Sequence, residues 1–168
     1  PTLLLNQNLV NSGVGNESVT YHITPRANGC NGTVTDFVVT VYPTPVLTSP
    51  LNAGSICSGT IFHYTPSSGT ALTTFAWTRA FQAGITPAGP TNGTGDPAET
   101  LNNTTANPIF VTYVYTLSAN GCTNPTTYNV VVRVNPSPIL ISTLTPPAIC
   151  SNNLFSYTPL SGTAGTVF

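Results

Sequence analysis

The chain repeats itself with a period of 92 to 93 residues. Ile56-Cys57-Ser58 returns as Ile149-Cys150-Ser151, Tyr64-Thr65-Pro66 as Tyr157-Thr158-Pro159, and Phe75 as Phe168. Val19-Thr20-Tyr21 likewise returns as Val111-Thr112-Tyr113, and Ala27-Asn28-Gly29-Cys30 as Ala119-Asn120-Gly121-Cys122. Self-similarity at a fixed period marks a tandem array of one structural unit and outranks any single motif. Cutting at the shared Val-x-Pro-x-Pro wording (Val41 to Pro45, Val134 to Pro138) predicts three pieces. These are the C-terminal half of one repeat over 1–44, a complete repeat over 45–136, and the N-terminal third of the next over 137–168. The expectation is a segment of a longer array, each unit large enough for one modest core.

Composition removes several function classes. Charged residues make up 4% of the chain, against about a quarter in an ordinary soluble domain. There is no lysine, so lysine-to-asparagine isopeptide crosslinks are excluded, and the only basic side chains besides histidine are Arg26, Arg79 and Arg133. Three arginines cannot neutralise a phosphate backbone, so no nucleic-acid partner is expected. No apolar run is long enough to span a bilayer as a helix. With 40% hydrophobic residues and a net charge of −1 the chain has enough to bury, and disorder is not the reading.

Alternation then points to strands. In Ile109 to Ser118, Ile109, Val111, Tyr113, Tyr115 and Leu117 share one face, while Thr112, Val114 and Thr116 take the other. Tyr128 to Val134 reads as its hairpin partner, with Asn120-Gly121 suited to the positive φ values of a two-residue turn; Asn28-Gly29 is its twin. Thr60 to Thr65 and Thr74 to Thr78 are further strands, and Val46 to Ser49 and Ala98 to Leu101 are weaker ones. Six or seven strands per unit suit an immunoglobulin-like sandwich, with Trp77 and Tyr113 expected in its core. Phe81 to Asn103 reads as the longest irregular stretch. The prolines at 43, 45, 136 and 138 predict short, semi-rigid joints and consecutive units strung as a rod.

These residues carry a family resemblance. Ile-Cys-Ser-Gly at Ile56 to Gly59, Phe-Ala-Trp-Thr-Arg-Ala at Phe75 to Ala80 and Glu-Thr-Leu-Asn-Asn-Thr-Thr at Glu99 to Thr105 stand in fixed order before Tyr-Val-Tyr-Thr-Leu-x-Ala-Asn-Gly-Cys at Tyr113 to Cys122. The whole resembles the PKD-like, immunoglobulin-like repeats of large secreted surface proteins of Bacteroidetes-type bacteria. The resemblance implies an all-β fold of tandem sandwiches, export to the cell surface, often by the type IX route, and a place in long adhesins or filaments. The first copy departs from it: Asn8 to Glu17 lacks the Leu-Asn-Asn-Thr-Thr wording, and His22 and Ile23 replace Val114 and Tyr115.

Cysteines stand at two repeat positions, Cys57 and Cys150 before the second strand and Cys30 and Cys122 after the hairpin turn. The absence of a Cys-x-x-Cys pair disfavours zinc and favours disulfides in an oxidising compartment. Two connectivities stay open. In a sandwich the two positions lie about a strand length apart, roughly 20 to 30 Å, beyond the ~4.4 to 6.8 Å that a disulfide allows between α-carbons, which suggests a head-to-tail bridge between neighbouring units. A different strand order would permit Cys57 to Cys122 within one unit.

No catalytic, cofactor or metal site is expected. His22 and His63 fall in regular strands without a nucleophile elbow, and the paired carboxylates of Asp96 and Glu99 are too few for an ordinary calcium shell. Five Asn-x-Ser/Thr sequons begin at Asn16, Asn31, Asn92, Asn102 and Asn103. The leading expectation is a noncatalytic, extracellular structural or adhesive repeat segment, with neighbouring repeats and identical chains as partners. A carbohydrate-binding module that takes polysaccharide through Phe81 to Asn103, and a spacer in a secreted enzyme, are the alternatives.

Overall fold

The computed structural model describes residues 4–168, and no helix occurs among them. The first copy supplies β1 (Glu17–Ile23), β2 (Arg26–Ala27), β3 (Cys30–Asn31) and β4 (Thr35–Val41). The complete copy supplies β5 (Asn52–Cys57), β6 (Thr60–Phe62), β7 (Thr74–Arg79), β8 (Ile85–Thr86), β9 (Thr91–Thr94), β10 (Glu99–Asn103), β11 (Ile109–Ala119), β12 (Cys122–Thr123) and β13 (Tyr128–Asn135).

In the complete copy two sheets enclose one core. The larger runs β5-β13-β11-β7-β9, with β12 extending the β11 hairpin, and the smaller runs β6-β10-β8. All neighbours are antiparallel except β5 and β13, which are parallel. Period-two alternation on β11 buries Val111, Tyr113, Tyr115 and Leu117, and β13 adds Val130, Val132 and Val134 from the next strand. Phe62 and Leu101 close the core from the opposite sheet. Tyr113 sits at its centre, 5.1 Å between ring centroids from Phe62 and 5.4 Å from Trp77, the latter edge to face. Trp77 is 5% exposed and Tyr113 fully buried.

Both Asn-Gly turns take positive φ at each residue, 51° and 80° at Asn120-Gly121 and 50° and 82° at Asn28-Gly29. This is the twist that a two-residue loop between antiparallel strands requires.

Three local expectations are corrected. Val46 to Ser49 forms only a single bridge, Leu47 to Ser68, and the outer strand is β5, laid parallel to β13 through a bulge. The strand expected to reach Thr65 stops at Phe62, because the Asp96 carboxylate takes over beyond it, accepting from the Tyr64 backbone N–H at 2.9 Å and bonding His63 Nδ1 at 2.6 Å. Phe81 to Asn103 is not one irregular stretch, since it holds β8, β9 and β10. The first copy also keeps more of the pattern than its wording suggests. Asn11 donates to the carbonyls of Gly15 and Val41 as Asn103 does to those of Asn107 and Val134.

Candidate functional site

One set of contacts lies where one copy meets the next. From Tyr42 to Leu47 the burial alternates, with Pro43, Pro45 and Leu47 inward and Tyr42, Thr44 and Val46 outward. The joint therefore behaves as extended, packed backbone rather than free linker. Asn124, just beyond the β11–β12 hairpin, donates from Nδ2 to the Pro45 carbonyl at 2.8 Å and to the Tyr128 hydroxyl at 3.0 Å, while its Oδ1 accepts from the Thr126 N–H. With Nδ2 and Oδ1 all engaged, this nearly buried amide holds the incoming chain against the hairpin end of the sandwich. Across the joint Val14 lies against Gly69, where an added Cβ would stand 3.2 Å from the valine methyl. A groove of about 400 Å³ runs beside them, between Val10 to Val14 and Ser68 to Thr70.

Inside the sandwich lies an ion pair that the sequence reading did not single out. Arg79 follows Trp77 by two positions on β7 and so points inward. Its Nε meets Glu99 Oε2 at 2.8 Å, its Nη2 donates to the Pro87 carbonyl at 3.1 Å, and the Tyr113 hydroxyl donates to Glu99 Oε2 at 2.6 Å. The arginine side chain is 1% exposed and the glutamate 13%. Burial pushes the Glu99 carboxyl up, but the hydrogen bonds from Arg79 and Tyr113 and the arginine charge outweigh it and leave the group below its usual value. Burial and the neighbouring carboxylate push the Tyr113 hydroxyl well above the ordinary tyrosine range. The signal for this cluster was available: an arginine in phase with Trp77 on an inward face needs a carboxylate within reach.

The family of the chain is decided by its sequence. The PKD-like domain family matches residues 2–45 and 54–138, more than half of the chain. The chain is a member of the PKD-like domain family. The two matched stretches end at Pro45 and Pro138, which occupy one repeat position. No curated protein matches the chain. PKD-like domains are typically noncatalytic and commonly occur in extracellular proteins.

In this PKD-like chain the loop carboxylates Asp96 and Glu99 are engaged within the fold, while Trp77 Nε1, Arg79 Nη1 and Thr91 Oγ1 are buried without a hydrogen-bond partner among the described residues. Asp96 binds His63 and the backbone N–H groups of Tyr64 and Ala98. Glu99 serves Arg79 and Tyr113, so the two carboxylates of that loop do not converge on a shared cavity. His22 Nδ1 pairs with Asp36 Oδ1 at 2.5 Å across β1 and β4, on an exposed face. Among the described residues no cluster of three metal-binding side chains exists. Asn103, one of the five sequon asparagines, is buried and committed to the β10–β11 loop, while Asn16, Asn31, Asn92 and Asn102 are exposed.

The four thiols are unbonded in this structure. Cys57 ends β5 beside Asn135, where the chain leaves the complete copy. Cys122 pairs with Ala119 at the hairpin end, next to the Asn124 clamp where the chain arrives. Cys30 occupies the corresponding hairpin position opposite Ala27, and Cys150 lies exposed in the third copy.

Proposed function

We propose that the chain is a noncatalytic structural segment of an extracellular surface protein, in which packed sandwiches are strung on stiff proline joints to build a stalk or filament. The observation that carries this reading is the burial of Pro43 and Pro45 together with the Asn124 bond to the Pro45 carbonyl. A joint whose carbonyl is held by the next unit transmits orientation; a hydrated linker does not. The near absence of charge fits a coat that stays hydrated and insensitive to salt. In the same reading Cys57 and Cys122 serve neighbouring units: a thiol at the exit of one repeat pairs with a hairpin thiol of the next, in an oxidising compartment. Cys57 lies level with Asn135 at one end of the β11–β13 ladder and Cys122 level with Ala119 beyond its other end, roughly 35 Å along the strands at ~3.3 Å per residue, which disfavours a bond between them.

Small-angle scattering on the whole chain and on Asn124→Ala with Pro45→Gly tests the stalk reading. An extended particle whose distance distribution broadens and shortens in the double variant supports it. A compact particle, or one whose dimensions ignore the joint, overturns it.

A further inference from the structure

β9 forms one edge of the larger sheet, and its outer row of backbone groups has no partner among the described residues. The Gly95 N–H bonds the Phe75 carbonyl, so by the alternation of an antiparallel ladder Gly93 and Thr91 also turn their backbone groups toward β7. The N–H and carbonyl of Asn92 and of Thr94 then point away from the sheet. The side chains of these two residues stand exposed on its outer face, level with Thr78 and Ala76.

The other edges of the complete copy are blunted. β5 carries a bulge against β13 with Gly54 at φ of 80°, and the Gly54 N–H is taken by the Asn52 side chain at 3.0 Å. The smaller sheet ends on β6 and β8, which have three and two residues. β9 has none of the devices that keep edges apart, neither charge nor proline nor bulge. The nearest ionisable group along the chain, Asp96, is bound to His63. Through β7, β9 lies level with Tyr113 to Thr116 in the middle of β11, so repeats attached at either proline joint leave it open.

We propose that β9 pairs edge to edge with β9 of a second copy of this chain, antiparallel about a two-fold axis at Gly93. In that register Asn92 of each copy lies opposite Thr94 of the other, and each such pair exchanges both of its backbone hydrogen bonds. The row is its own complement, which is why a second copy fits it. Gly93 meets Gly93 at the point of closest approach, and it is bare there because Trp77 leaves no room for a Cβ. Opposed Asn and Thr side chains carry no charge to repel, and the net charge of the chain is only −1. One patch used on both partners closes the contact at two copies and makes the two larger sheets continuous. A strand this short gives a weak, reversible contact. The pairing does not rest on the stalk reading; within a stalk it would join neighbours side by side.

Sedimentation equilibrium of the whole chain under reducing conditions, up to millimolar concentration, tests the pairing. Two variants accompany it, Asn92→Lys with Thr94→Lys and Asn92→Asp with Thr94→Asp. Both positions face solvent within one copy, so each variant is expected to keep the urea midpoint of the unaltered chain. The mean mass of the unaltered chain is expected to rise from 17.5 kDa toward twice that value. Each variant places like charges opposite each other and is expected to stay at 17.5 kDa, whereas their equimolar mixture regains the doubled mass. Without any substitution, the Asn92 and Thr94 amides should also exchange more slowly as concentration rises. A chain that stays monomeric, or exchange at these amides that ignores concentration, overturns the proposal and leaves the edge to an extended segment of a different protein. Variants that associate as the unaltered chain does, or a mixture that fails to regain the doubled mass, overturn it as well.

Discussion

Arg79 of β7 and Glu99 of β10 join the two sheets through the core, Nε to Oε2 at 2.8 Å, with the Tyr113 hydroxyl on the same carboxylate oxygen. The pair has little water to fall back on. Removing one partner strands the other in a medium that solvates charge poorly, whereas removing both does not. Glu99→Gln is therefore expected to cost about 3 to 5 kcal/mol in urea unfolding, and Arg79→Met with Glu99→Gln to recover most of it. A double variant no more stable than the single would contradict this account.

Acid should act through the same carboxylate and through Asp96, both held below their usual values of 4.5 and 3.8. For Asp96, burial raises the value while the His63 hydrogen bond and the Tyr64 and Ala98 N–H groups outweigh it. A folded-state value below the unfolded one contributes stability that is complete above the unfolded value and is lost as pH falls through the folded one. Urea midpoints should thus hold steady down to about pH 5 and drop below pH 4, with a shallower drop in Asp96→Asn. An equal slope in the variant would remove Asp96 from the explanation.

Gly93 on β9 makes room for the only tryptophan. A Cβ there would stand 2.6 Å from Trp77 Cζ2, so Gly93→Ala must shift the indole or the strand, at about 1 to 3 kcal/mol. Trp77 emission and the unfolding midpoint should change together; a displaced midpoint with unaltered emission would place the strain elsewhere.

Leu101 is fully buried between the sheets, and Leu101→Ala should cost about 2 to 5 kcal/mol. Leu9, its repeat equivalent, faces an open groove, so Leu9→Ala should change the unfolding of the complete copy by less than about 0.5 kcal/mol.

How legible all this was depends on the residue pattern. β11 and β13 stand out because Val111, Tyr113, Tyr115 and Leu117 share one face, alternating with Thr112, Val114 and Thr116, and Asn120-Gly121 allows only a narrow set of turns. β5 does not: its ladder partner lies far along the chain, and Gly54 takes φ of 80° at the bulge. β8 and β9 hide among Gly84, Pro87, Gly89 and Pro90, which read as loop when taken singly, whereas β10 falls on the weaker strand read at Ala98 to Leu101. Arg79 was readable through its phase with Trp77, but Glu99 is a tertiary partner that no local pattern names. In the first copy, Leu9 and Asn11 keep the spacing of Leu101 and Asn103 although the residues between and after them differ.

The parallel pairing of β5 and β13 bears on how the complete copy would behave under tension. Its chain arrives at the Asn124 end, runs along β5 toward Cys57, and departs from β13 at Asn135, so the first and last strands point the same way and share a ladder. Pulling the two ends apart slides these strands past each other and loads their bonds together, the Ser58 N–H to Asn135 carbonyl and the Val131 N–H to Leu51 carbonyl included. Unzipping would break such bonds one at a time; shear demands that they fail at once, and a copy arranged this way resists stretching far better than its small size suggests.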